Sequence, residues 1–196
     1  MFCSNTLMMD SMITVSKDYG NPLHTKCLEI ICNMSRFPPN NAIMAKYPGL
    51  VETLVVSGGS NNEPADRLWA LRTLQNLSSD VAGKTVLANS VVLQLLSGSV
   101  MSSNQDEQIA ATATLYNLST EPGAVVPLTN TKNVVATLVH VAHSPDTISA
   151  VRLMACDALA TLGLWLQTLA GAGNVPDEIE ATPLPSYATT GWKRFD

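Results

Sequence analysis

The stretch WALRTLQNLSS, residues 69–79, carries an Asn-x-Ser triplet that recurs in CNMSR at 32–36 and YNLSTE at 116–121. Asn-x-Ser is the acceptor pattern for N-linked sugar. The triplets are therefore either glycosylation sites of a secreted chain or copies of one structural unit. Spacing favours the second. Asn33, Asn76 and Asn117 stand 43 and 41 residues apart, and their surroundings match as well as they do: KCLEIICNMS, ALRTLQNLSS and ATATLYNLST. A fourth copy, ACDALATLG, follows 44 residues on, with Thr161 in place of the asparagine. A period of this length is the mark of stacked helical repeats.

With that Asn or Thr as position zero, the neighbouring positions keep their character. Position −2 holds Ile31, Leu74, Leu115 and Leu159, and +1 holds Met34, Leu77, Leu118 and Leu162. Position −6 holds Cys27, Ala70, Ala111 and Ala155, and −8 holds Thr25, Leu68, Ile109 and Leu153. These offsets predict one long amphipathic helix per copy with an apolar stripe, its small residue allowing close helix approach. A second helix is predicted before each: TLMMDSMITVSK (6–17), PGLVETLVVSG (48–58), NSVVLQLLSGS (89–99) and KNVVATLVHVAHS (132–144). Pro64, behind Asn62 or Glu63, and Pro145, behind Ser144, are placed like first-turn prolines. The segments NNAIMAKY, DVAGKTVLA and EPGAVVPLT allow one further brief helix per unit. In the last of them Pro127 is expected to break or kink it.

Composition narrows the function. The chain of 196 residues is 46% hydrophobic but only 14% charged, against roughly 25% charged in an average soluble protein. Aromatics are 5% and the net charge is −5, so a general nucleic-acid binder, which is usually basic, is not expected. Cys3, Cys27, Cys32 and Cys156 form no Cys-x-x-Cys. They read as thiols of a reducing compartment rather than as a disulfide framework. The N-terminus lacks the basic start of a signal peptide, and no stretch is read as reaching the ~18 apolar residues of a membrane span. The expectation is a soluble cytoplasmic or nuclear protein.

The segments WALRTLQNLSS and AATATLYNLST resemble the Ala-x-x-x-Leu-x-Asn-Leu third-helix signature of the armadillo repeat family. GLVETLVVS and VVLQLLSGS resemble its Leu-Val-x-Leu-Leu second helix. The resemblance covers residues 5–165; two-helix HEAT repeats share its period, and Pro127 and Thr161 depart from the pattern. It implies an all-α, right-handed α-solenoid, an alpha-alpha superhelix. Its repeat domain would span 1–170: a partial repeat at 5–36, then repeats at about 37–79, 80–120 and 121–165. Solenoid ends need a cap, yet the chain opens on what resembles a second helix. Either the N-terminus is a degenerate cap or the chain is part of a longer protein, with the Met-rich face of Leu7, Met8, Met9 and Met12 as a sticky end or a contact for self-association.

The resemblance also implies a concave face lined by positions −7, −4 and 0, which share one side of a helix. Here these are Lys26, Glu29 and Asn33; Trp69, Arg72 and Asn76; Ala110, Ala113 and Asn117; Met154, Asp157 and Thr161. An Asn amide donates and accepts, so a row of them can pair with an extended peptide backbone or hold the neighbouring helix. Trp69 with Arg72 has the chemistry of an interface hot spot, although a tryptophan is as readily core. Nuclear adaptors of the family carry Trp one turn before the Asn, where this chain has Glu29, Arg72, Ala113 and Asp157. A nuclear-localisation-signal reader is therefore not expected. The reading is a non-catalytic scaffold for a protein or peptide partner, contacted through Lys26, Glu29, Asn33, Trp69, Arg72, Asn76, Asn117 and Asp157. The rival is a structural or self-associating module of a larger assembly.

Motifs for chemistry are missing. AGKT at 82–85 lacks the upstream glycine of a phosphate loop, since that position is Ser78. His140 and His143 form a helix-end pair without a third ligand nearby, His24 stands apart, and no nucleophile or dinucleotide motif appears. Neither an enzyme, a metal nor a cofactor is expected. From 171 to 196 the repeat stops, and Pro176, Pro183 and Pro185 mark a tail that is either loose or docks on the repeats or a partner.

Overall fold

The structure, a computed structural model, describes residues 6–171. The expectations for the tail beyond 171 and for Cys3 lie outside them. In chain order the elements are α1 (Thr6–Lys17), α2 (His24–Ser35), α3 (Pro38–Ala45), α4 (Leu50–Ser57), α5 (Pro64–Leu77) and α6 (Val81–Leu87). They continue with α7 (Ser90–Val100), α8 (Gln105–Ser119), a 3-10 turn (Pro122–Ala124), α9 (Val125–Asn130), α10 (Val134–His143) and α11 (Ser149–Gly171). Among the described residues the fold is all-α.

Local chemistry sets the helix ends. Asp80, Asn89 and Asn104 cap α6, α7 and α8, each accepting backbone N–H groups with its side chain. Pro64 opens α5, where its missing N–H costs nothing. The backbone turns left-handed just before α4 and α10, at Gly49 (φ 77°) and Asn133 (φ 71°). Glycine and asparagine are the residues that tolerate this conformation best.

The helices stack in order. α2, α5, α8 and α11 touch in succession; α4, α7 and α10 follow the same order, and α3 meets α6. Each long helix also packs on the medium helix of its own unit, as α1 on α2, α4 on α5, α7 on α8 and α10 on α11. The core runs between these rows through Leu28, Ile31, Leu71, Leu74, Leu115 and Leu118, all fully buried. Burying one such side chain stabilises by about 1.5–3 kcal/mol. At −6, Ala70, Ala111 and Ala155 are also fully buried, where a larger side chain would force the helices apart.

Several expectations need correcting. Position −8 is not core: Thr25, Leu68 and Ile109 are half-buried and Leu153 is exposed. At 3.6 residues per turn it lies about 160° around the helix from −6. The core stripe is completed instead at −5, by Leu28, Leu71 and Thr112. Pro145 does not open a helix, because α11 starts only at Ser149 after a turn. Pro127 leaves α9 intact because it falls in its first turn, where no helical acceptor needs its N–H. The face of α1 is no free contact surface: Met9 and Met12 are buried in the core and only Leu7 is fully open. Tyr47 clamps this helix, donating its hydroxyl to Thr6 O and Asp10 Oδ1, each at 2.9 Å.

Finally, α11 runs for 23 residues, through LWLQTLA at 164–170. This helix is long and apolar enough to cross a membrane by length and composition, which corrects the expectation that no stretch reaches a membrane span. It carries Arg152 and Asp157, and its buried side packs on α8 and α10.

Candidate functional site

The repeat asparagines and serines meet across the stack. Asn76 Nδ2 on α5 donates to Ser35 Oγ on α2 at 2.9 Å, and Asn117 Nδ2 on α8 donates to Ser78 Oγ just past the end of α5 at 2.9 Å. In each case position 0 of one unit reaches +2 of the unit before it. The receiving serines are fully buried and donate their own protons to the carbonyls of Cys32 and Gln75. The Asn and the Ser of one triplet therefore serve two different joints. This explains the recurrence of Asn-x-Ser without any sugar. The series stops at α11, where Thr161 bonds back to Asp157 O and +2 is Gly163.

A second ladder joins the same helices at their other ends. His24 on α2 lies 3.1 Å from Asp66 on α5. Arg67 on α5 meets Glu107 on α8, with both Nε and Nη2 3.0 Å from Oε1. Position −9 of one unit meets the acid at −10 of the next, and both acids stand in the first helical turn, where the helix dipole favours them. The pairs are buried, and Thr25 and Ser102 add hydroxyl donors to Asp66 and Glu107 at 2.6 Å each. These four charged or ionisable residues were not singled out in the sequence. Placing the charges in the repeat register would have found them.

The short helices repeat the device. Asn41 on α3 donates to Ser79 Oγ, and Lys84 on α6 donates to Thr120 Oγ1 at 2.7 Å. The AGKT segment is part of this packing. A Cβ on Gly83 would stand 1.8 Å from the carbonyl oxygen of Leu77, so its glycine serves a backbone approach rather than a phosphate.

The predicted partner-binding residues lie on four helices, α2, α5, α8 and α11. On α2, Lys26 and Asn33 are exposed, and Lys26 pairs with Glu29 at 2.7 Å. On α5, Trp69 is half-buried, with the Arg72 guanidinium 5.8 Å from its ring centre. Arg72 also meets Asp106 on α8 at 3.4 Å in an exposed pair. Asn76 and Asn117 are half-buried, with their amide nitrogens given to the serines. On the third row Ala110 and Ala113 are buried and offer nothing to a ligand. Asp157 on α11 is exposed, next to the exposed Leu153 and Leu164.

Other reactive groups sit apart. Burial pushes the Cys32 thiol above its ordinary value, and Cys27 is raised for the same reason. His140 and His143 are exposed in the last turn of α10. His140 borders a shallow groove of about 510 Å³ between α7 and α10, lined also by Gln94, Met101 and Lys132. Among the described residues no three His, Cys, Asp or Glu side chains converge on a metal position.

No protein-family model and no curated protein matches this chain. Among solved structures it is similar to a crystal structure of an engineered protein from the Northeast Structural Genomics Consortium. That likeness covers 84% of this chain and 67% of the other, with a TM-score of 0.67 at 18% identity. At that identity the similarity bears on the fold alone, and the fold it supports is all-helical.

Proposed function

We propose that this is a non-catalytic interaction module of armadillo-like architecture that binds an extended segment of a partner protein along its long-helix face. The observation that carries the reading is the Trp69–Arg72 pair. It combines an aromatic plane and a guanidinium on one helix face, half open to solvent, held on a stack cross-linked by buried polar pairs. Such rigid, amphipathic pairs are the residues that dominate binding energy in protein interfaces. Asp106 beside Arg72 and the Lys26–Glu29 pair on α2 make the face mixed in charge. That favours a partner segment with an apolar or aromatic anchor over a uniformly basic or acidic one. One N–H of each of the Asn76 and Asn117 amides is given to the stack, so these asparagines offer less than their full set and the contact centres on Trp69 and Arg72, with Asn33 at its edge.

Selection from a displayed library of extended peptides, followed by titration, tests this. Binders selected on the native chain should lose at least about tenfold in affinity, or 1.4 kcal/mol, against Trp69→Ala/Arg72→Glu. Circular dichroism checks that the variant is folded. Equal affinity for both proteins would refute the site. Asn76→Ala does not belong in this test, because it breaks a joint.

A further inference from the structure

The last described helix, α11, leaves partly open the positions that the other long helices bury. In α2, α5 and α8, positions −5, −2 and +2 are covered by the next long helix. Leu28, Ile31 and Ser35, then Leu71, Leu74 and Ser78, then Thr112, Leu115 and Ser119 are all fully buried. The same positions of α11 are Cys156, Leu159 and Gly163, and all three remain partly open. Arg152 stands at −9, the position from which His24 and Arg67 reach an acid on the next unit. It has no ion pair among the described residues.

We infer that this end face binds the chain's own C-terminal segment, with Glu180 on Arg152 and the neighbouring apolar residues over Cys156 and Leu159. Three observations select this occupant. First, the segment carries the right charge: residues 172–180 contain the acids Asp177, Glu178 and Glu180 and no Lys or Arg. Asp66 and Glu107 are the acids that meet His24 and Arg67. Second, it is long enough. Arg152 lies about 28 Å before Gly171 along the helix axis; the extended chain from Gly171 reaches about 24 Å at Glu178 and about 31 Å at Glu180, so Glu180 is the acid that reaches. Third, a second copy stacked head to tail would fit poorly, because position −10 of α2 is Leu23, an exposed apolar residue. Gly163 at +2 also denies a following repeat the serine that its asparagine would use.

Peptide-resolved alkylation of Cys156 in the full-length chain tests this, with half-buried Cys27 at the far end as internal reference. The variants are Glu178→Lys/Glu180→Lys, Arg152→Glu, and the combination of all three. Each charge reversal should speed Cys156 modification about fivefold or more relative to Cys27, the factor equivalent to roughly 1 kcal/mol. The combination, which restores opposite charges, should slow it again. The Glu178→Lys/Glu180→Lys variant leaves every described residue unchanged, so its result stands even if Arg152→Glu fails to fold. Equal rates in native and reversed chains would overturn the inference. So would protection that grows with protein concentration, which would assign the face to a second copy. Protection seen only with added anionic phospholipid vesicles would also overturn it, assigning the face to a membrane surface.

Discussion

Replacing Glu107 by alanine strikes a residue that, with Asp66, is among the most buried charges of the described residues. Its carboxylate is 3% exposed and accepts Arg67 Nε and Nη2 on one oxygen and Ser102 Oγ on the other. Its removal strands a guanidinium that is only 19% exposed. Breaking a buried pair from one side costs about 3–5 kcal/mol. Arg67 keeps its bond from Nη1 to Asn62 O at 2.7 Å and part of its hydration, so the expected loss is about 2–4 kcal/mol. Glu107→Gln keeps acceptor and shape but loses the charge, and should cost about 1–2 kcal/mol. Converting both partners, Arg67→Met with Glu107→Leu, should recover most of the loss, because an apolar pair of similar size carries no desolvation penalty. Urea unfolding followed by far-UV circular dichroism measures all three. A loss below about 0.5 kcal/mol for Glu107→Ala is what an ordinary surface change gives. It would refute the claim that this pair locks α5 to α8.

Two further outcomes are expected. Asn117→Ala should cost about 0.5–1.5 kcal/mol, whereas exposed Asn33→Ala should stay within about 0.5 kcal/mol. A double-mutant cycle with Ser78→Ala should show coupling at Asn117 alone, and equal effects at both asparagines would refute the ladder. Gly83→Ala gains up to about 1 kcal/mol in helix propensity but drives a Cβ into the Leu77 carbonyl. A net loss of about 1–3 kcal/mol in chemical unfolding is expected; a stabilised variant would show that α6 does not press on α5.

The repeat was legible because its strongest marks are periodic. Asn33, Asn76 and Asn117 keep their register, and with it the apolar positions −2 and +1, so the long helices could be placed from the sequence. What was not legible depends on distance. The roles of Asn76 and Asn117 are set by serines 41 and 39 residues earlier, and a single helix face cannot show such partners. Asp66 and Glu107 look like ordinary acids of a first helical turn until the preceding unit supplies His24 and Arg67. The methionines of α1 looked like a sticky surface because a helix read alone has no inside. Once α2 and α4 pack against it, Met9 and Met12 become core. Pro145 misled for a local reason, since a proline after serine marks a turn as readily as a helix start.

The offset of the asparagine–serine joint makes the units interchangeable. Each Asn-x-Ser triplet carries both halves of a coupling, a donor for the unit behind and an acceptor for the unit ahead. Excising the forty or so residues of the α3–α5 unit would set Asn117 opposite Ser35, a pairing chemically identical to the one with Ser78. Duplicating that unit would likewise create a new joint of the same kind. The stack is therefore free to change length in whole units without new contacts having to be invented. Thr161 and Gly163 in α11 lack both halves, so that segment cannot take an interior place on the same terms.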